Sequence, residues 1–170
     1  MRIEVRTDIT QDMLKMKDEL AKYNVPLAVN QCEYSILRRE PEVSGLLRAC
    51  KENNIVFQAY SSLAQGRLTG KYHKNNQPPS SYRFSNYPME MIEPTLDVLK
   101  KVAQGRGKTV AAVSLNYALV HGIVPVVGVR SQAQAKSNAQ ALGWRLSDDE
   151  IKEIDAVSYQ GKTTVLWQQG

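Results

Sequence analysis

The segment from Ile55 to Tyr72, reading I-V-F-Q-A-Y-S-S-L-A-Q-G-R-L-T-G-K-Y, constrains the fold more than any other part of the chain. Ile55, Val56 and Phe57 form a short β-branched and aromatic run, the composition of a buried strand. Tyr60 and Ser61 come at its end, and Gly66 and Gly70 punctuate the turn that follows. A strand that ends in an aromatic ring, hydroxyls and a basic loop has the layout of a site in a parallel α/β protein, where ligands gather at the carboxyl ends of strands.

The flanking sequence alternates between strand and helix signals in the same way. Arg2 to Val5 reads as a short first strand. From Asp8 to Tyr23 the residues Ile9, Met13, Met16, Leu20 and Tyr23 recur at helical spacing, with Asp8 and Gln11 placed as an N-terminal cap. Pro26 to Val29 reads as a second strand ending in Asn30-Gln31. Pro41 opens a helix lined by Val43, Leu46, Leu47 and Cys50, and the central strand follows. Residues 66–91 have no clear period, and a loop of that length inside a compact domain is usually functional or disordered. Ile92, Leu96, Leu99 and Ala103 mark a helix ending near Gly105. Thr109 caps another, with Val113, Asn116, Tyr117 and Val120 on its buried side. Val124 to Val127 is a strand broken by Gly128, and Ser131 to Leu142 is helical, with Ala135, Asn138, Ala139 and Leu142 on one stripe. Ser147 and Glu150 make a capping box before a last helix carrying Ile151, Ile154 and Val157. Residues 158–170 read as an irregular tail containing Trp167. Four strands alternating with helices imply βαβ units and a parallel sheet.

Composition narrows the function classes. At 170 residues, with 42% hydrophobic and 23% charged residues, the chain has the material for one domain with a real core. No apolar run approaches the ~20 residues of a membrane span, and Met1 to Arg6 lacks the apolar centre of a signal peptide. The two cysteines, Cys32 and Cys50, make no disulfide framework, and no Cys/His spacing for a metal is present; the expected setting is reducing and cytoplasmic. The net charge of +5 is spread along the chain rather than clustered, so neither a nucleic-acid nor a membrane partner is expected. A site for one phosphorylated small molecule fits that charge, as does a solvated basic surface.

Three strand ends carry candidate chemistry. Tyr60 offers a ring for stacking and Ser61 a hydroxyl for a phosphate, although spacing alone favours a Tyr that closes the top of a barrel layer. Gly128-Val129-Arg130-Ser131 leads into a helix, combining close backbone approach, a permanently charged planar fork and free helix N–H groups, which is an anion site in physical terms. An ordinary strand-to-helix turn with a solvated Arg reads the same way. Gln31 presents an amide that suits an amide-bearing ligand or, alone, a polar strand end in water. Gly105-Arg106-Gly107-Lys108-Thr109 imitates a P-loop end, but Val102 stands where the pattern needs Gly and helix precedes it. His73 and His121 have no partner types nearby in sequence for a triad or a metal, and no constellation for acid–base chemistry emerges.

The Tyr60-to-Lys71 segment resembles the Y-S-P-L-A-x-G-x-L-T-G-K segment of aldo-keto reductases, with Ser62 where many members carry Pro. Val29-Asn30-Gln31 with Tyr34, and Gly128-x-Arg130-Ser131 with Gln134 and Asn138, resemble further motifs of that family in the same order, from about Asp8 to Val157. The resemblance implies a (β/α)8 TIM barrel, of which this chain is the C-terminal half (about the fifth to eighth strands with their helices), as a single domain over residues 1–170 with residues 1–7 as a degenerate first strand. It implies NADP(H) as cofactor and reduction of aldehydes and ketones to alcohols. Gln31 would then hold the nicotinamide carboxamide and Tyr60 would stack on the nicotinamide ring. Ser61, Leu63, Gly66 and Arg67 would lie along the pyrophosphate, with the loop to Lys71 folding over it. Arg130 and Ser131, helped by Gln134, would take the 2′-phosphate, with Gly128 permitting close backbone approach to the cofactor, and Asn138 would meet the adenine, although Ser137 stands where an acidic residue is usual.

The family's catalytic Asp, Tyr, Lys and His lie on the first four strands, which have no counterpart here, so no catalytic residue is assigned and the chain alone is expected to lack a general acid. Glu4-Val5-Arg6-Thr7 stands where Gly-Val-Ser-Asn would help seat the nicotinamide. Four strands also leave two edges and an apolar layer to be covered, which implies pairing with a second copy or with a separate N-terminal half. The alternatives to a reductase half are a non-catalytic NADPH-binding regulatory or interaction subunit, and a truncated product without function.

Overall fold

A computed structural model describes residues 3–78 and 88–160; the tail around Trp167 and the middle of the long loop lie outside the described residues. Strand β1 (Ile3–Val5) leads to helix α1 (Thr10–Ala21) and strand β2 (Leu27–Glu33). Helices α2 (Glu40–Val43) and α3 (Leu46–Glu52) precede β3 (Val56–Tyr60), a 3-10 turn over Ala64–Thr69, and helices α4 (Met89–Arg106) and α5 (Val110–Val120). Strand β4 (Val124–Pro125), α6 (Gln132–Ala139) and α7 (Asp148–Val157) complete the order. The strands form one parallel sheet in sequential order β1-β2-β3-β4. Among the described residues β1 and β4 are paired on one side only. The expected partial α/β barrel is what the chain forms.

Alternation along β3 explains how this sheet is covered. Phe57 and Ala59 are buried against the helices, whereas Val56, Gln58 and Tyr60 point to the other face. The helix-side core joins Leu27, Cys32, Tyr34 and Phe57 to Leu96, Leu99, Val113, Tyr117 and Ile154. On the opposite face Val56, Val124 and Val126 remain 43–45% exposed.

Several sequence expectations shift. Strand β2 runs on through Gln31 to Glu33, because Gln31, Cys32 and Glu33 all find register partners on β3. The helix expected from Pro41 to Cys50 is broken at Gly45, whose φ of 79° ends one turn and starts another, and Val43 is exposed rather than packed. Helix α4 passes through Gly105 and ends instead at Gly107, φ 61°, where the Lys108 N–H donates to the Ala103 carbonyl. Helix α1 starts at Thr10 without a side-chain cap, so the Asp8–Gln11 cap does not form; the Thr7 hydroxyl accepts from the Ile9 N–H instead. Thr109 caps α5, and Ser147 and Glu150 form the expected capping box.

A polar cluster ties the last helix to the rest. Arg39 grips Glu42 through Nε and Nη2 and reaches Asp155 of α7 through Nη1 at 2.8 Å. The Tyr117 hydroxyl donates to the same Asp155 oxygen, and the Tyr34 hydroxyl donates to Glu42. Burial drives the phenol pKa of Tyr34 upward, with Tyr117 and Glu42 adding to it. Burial works against ionised Glu42, but the hydrogen bonds from Arg39 and Tyr34 outweigh it and hold the carboxyl below its ordinary value.

Candidate functional site

Parallel strands in sequential order send every carboxyl end to one edge of the sheet, so the expected site residues are assembled by topology rather than by sequence proximity. Gln31 pairs in register with Gln58, and Glu33 with Tyr60, which brings Gln31 and Tyr60 to the same sheet face. Gln58 in turn pairs with Val124, and the Val126 N–H donates to the Ala59 carbonyl at 2.7 Å. The chain therefore leaves β4 beside the end of β3 on its way to Arg130 and Ser131.

Gln31 is 8% exposed and its amide nitrogen donates to Glu4 Oε1 at 3.1 Å and to Gln58 Oε1 at 3.0 Å. It is a strand residue within a polar ladder across β1, β2 and β3, not the water-facing strand end that its position beside Val29 also allowed. Beside it, the Asn30 side chain faces the helices and clamps the backbone of Thr7, accepting from its N–H and donating to its carbonyl. Tyr60 is half-buried. Burial, then Glu33, pushes its phenol up to about 12 against the pull of Arg38, so the phenol is neutral at physiological pH.

The loop after β3 is held in an unusual backbone conformation. Ser61, Ala64 and Gln65 have φ of 56°, 46° and 51°, and Gly66 and Gly70 have 94° and 78°. Non-glycine residues with such φ cost energy that surrounding contacts must offset, and such residues cluster at ligand clamps. Here the Ser62 hydroxyl donates back to the Ala59 carbonyl at 2.8 Å, Thr69 to Gly66 at 2.7 Å, and Ser114 of α5 to Leu68 at 2.9 Å. Leu63 is half-buried and joins both apolar clusters, and Lys71 is exposed with its ammonium 5.1 Å from the Tyr72 ring centre. Arg67 is 1% exposed, so it is enclosed in the interior rather than standing out on a basic loop.

At the start of α6 the Ser131 hydroxyl accepts from the Gln134 N–H at 3.2 Å, and the Gln134 side chain accepts from the Arg130 N–H at 2.7 Å. Ser131 and Gln134 thus shape the turn through their own backbone contacts. Gly128 and Arg130 are exposed, Asn138 is half-buried, and the first turn of α6 contains no acidic residue. The stripe expected on α6 is not buried, and Leu142 beyond it is 66% exposed. Among the described residues no group of three His, Cys, Asp or Glu side chains is placed to hold a metal, and no helix is long and apolar enough to cross a membrane. Sequence reasoning missed Glu4 and Gln58; the alternation of β3 around Phe57 marks Gln58 as a residue of the open face.

Known proteins resemble this chain along most of its length. The family model described as Aldo/keto reductase family matches residues 6–159. A chloroplastic pyridoxal reductase of Arabidopsis thaliana is 32% identical over 158 residues, covering 92% of this chain and 43% of that protein. An L-glyceraldehyde 3-phosphate reductase of Escherichia coli O157:H7 is 34% identical over 167 residues, covering 91% and 48%. An aldo-keto reductase of Schizosaccharomyces pombe whose name includes NADP(+) is 33% identical over 140 residues, covering 76% and 41%. The solved structure of a glycerol dehydrogenase from Gluconobacter oxydans superposes with a TM-score of 0.72 at 23% identity, covering 92% of this chain and 57% of that one. The chain spans about half the length of the curated relatives it matches. With its sheet order, its strand-end residues and a family match over nearly all of its length, the chain belongs to the aldo/keto reductase family.

Proposed function

We propose that this chain is the cofactor-binding half of an NADP(H)-dependent carbonyl reductase. The observation that carries the reading is the convergence of two features on one end of the sheet: the Gln31–Tyr60 face, and the Arg130 turn at an α6 N-terminus without acidic residues. The names of the relatives, which are reductases and in one case include NADP(+), support it.

In this reading Gln31 binds the nicotinamide carboxamide and the Tyr60 ring stacks on the nicotinamide. The backbone at Ser61, Leu63, Gly66 and Arg67 runs along the pyrophosphate, with Lys71 above it. Gly128, Arg130 and Ser131 take the 2′-phosphate, with Gln134 holding the turn, and Asn138 meets the adenine. The bound cofactor supplies the hydride that turns an aldehyde or ketone into an alcohol. This chain's residues bind and orient; the proton donor belongs to the half of the family's barrel that this chain does not span, so the chain alone has no turnover. The uncovered face of the sheet, Val56, Val124 and Val126, is where a second four-strand unit of that kind docks.

Arg130→Ala tests the cofactor assignment. A charged hydrogen-bonding contact contributes about 1.5–3 kcal/mol, so NADPH affinity of the purified chain should fall roughly ten- to a hundredfold. NADH affinity should hardly change, because only NADPH carries the 2′-phosphate. Equal losses for both ligands, read by fluorescence titration, refute the assignment.

A further inference from the structure

We propose that Glu4 fixes the orientation of the Gln31 amide, with Gln58 locking it, so that this position offers a bound nicotinamide a hydrogen-bond acceptor and no donor. The inference rests on the cofactor reading above. Its basis is the polarity of the ladder across the first three strands. A carboxylate accepts hydrogen bonds and does not donate them. The edge of the Gln31 amide facing Glu4 Oε1 must therefore be its nitrogen, at 3.1 Å. The same nitrogen lies 3.0 Å from Gln58, whose amide must then turn its oxygen inward. Both N–H bonds of Gln31 are used, and its Oε1 accepts no hydrogen bond among the described residues. Gln31 is 8% exposed, so little room remains for the amide to swing to another partner.

Charge at one strand thus sets the direction of amides on the next two. Arg6, with its Nε 3.8 Å from Glu4 Oε1, stands on the same β1 end and keeps a cation beside the carboxylate. Neither Glu4 nor Gln58 is among the residues assigned to the cofactor, and both act through Gln31 as positioning residues. The consequence is chemical discrimination. A carboxamide has an N–H to donate to Gln31 Oε1; an acetyl group in its place has none, and its oxygen faces another oxygen.

The test titrates the purified chain with NADP+, with its 3-acetylpyridine analogue, and with 2′,5′-ADP, which lacks the nicotinamide. The wild-type chain should prefer NADP+ over the acetyl analogue by about tenfold, the scale of one lost buried hydrogen bond. Glu4→Gln allows the Gln31 amide either orientation, and Gln58→Leu removes its lock; both should shrink that preference to about two- to threefold. Affinity for 2′,5′-ADP should stay unchanged in both variants, a result that general damage to the fold does not give. A wild-type preference near one, or an undiminished preference in Glu4→Gln, overturns the inference while 2′,5′-ADP binding leaves the cofactor reading standing. Failure of the wild-type chain to bind 2′,5′-ADP overturns both. Should a variant fail to fold, the wild-type preference alone decides.

Discussion

Glu150 shows how one side chain couples helix capping to charge. Its carboxylate accepts from the Ser147 N–H at 2.7 Å and from Arg106 Nε and Nη2 at 2.8 and 2.6 Å. The Arg106 hydrogen bonds, working against burial and helped by those at Ser147, hold its pKa at about 2 rather than the ordinary 4.5. A folded pKa below the unfolded one means stability that is present above 4.5 and lost as pH falls toward 2. Glu150→Gln keeps an oxygen for the Ser147 N–H but loses the charge facing Arg106, so it should lower the melting temperature at pH 7 by the equivalent of up to about 1 kcal/mol, and the gap to wild type should close between pH 4.5 and 2. A gap independent of pH in thermal melts would show that the carboxylate charge has no part in it. This capping box was legible in Ser147-Asp148-Asp149-Glu150, because its partners lie three residues apart. Arg106 was not, since it comes from α4, 44 residues earlier. The same limit hid Glu4 from Gln31: their hydrogen bond spans 27 residues and exists only because β1 and β2 pair.

Elements were legible where one face meets the core and the other meets water. Helix α7, with Ile154 buried and its acidic first turn outward, matches its pattern. Helix α5 is buried nearly all round, so the stripe read from its sequence understates its contacts. Helix α1 is the reverse: of Ile9, Met13, Met16, Leu20 and Tyr23, only Met13 is buried and Leu20 partly so, while Ile9, Met16 and Tyr23 are 41–76% exposed. Half of its apolar arc has nothing to pack on. Docking of α7 rests on more than Ile154. Asp155 accepts from Arg39 and from the Tyr117 hydroxyl, and Thr95 donates to the Val157 carbonyl at 2.8 Å. Asp155→Ala leaves the hydroxyl of buried Tyr117 without its acceptor and should cost about 1–3 kcal/mol. In urea unfolding this appears as a lower midpoint with an unchanged slope. Asp155→Asn, which keeps an acceptor oxygen, should cost less; an equal cost would place the effect in charge rather than in the hydrogen bond.

At the scale of the whole molecule, the described residues leave part of α1, the outer edges of β1 and β4, and one face of the sheet uncovered. Val56 and Val124 are each 45% exposed and Val126 is 43% exposed, whereas Phe57 and Ala59 on the reverse face are 2% or less. A sheet whose strands are all parallel normally has both faces covered, and among the described residues helices cover only one. Covering a half-exposed Val contributes about 1 kcal/mol, so the three together favour association by a few kcal/mol before any edge strand pairs. Val56→Lys with Val126→Lys places charge on that face without touching the helix-side core. The double variant should keep the wild-type circular dichroism spectrum and unfolding midpoint. It should also lose complex formation with a co-expressed N-terminal half of a related reductase, measured by light scattering. If the wild-type chain forms no such complex and stays monomeric with the face exposed, docking at this sheet is refuted. If the wild-type chain instead forms a dimer that the two lysines abolish, the face is used but a second copy covers it.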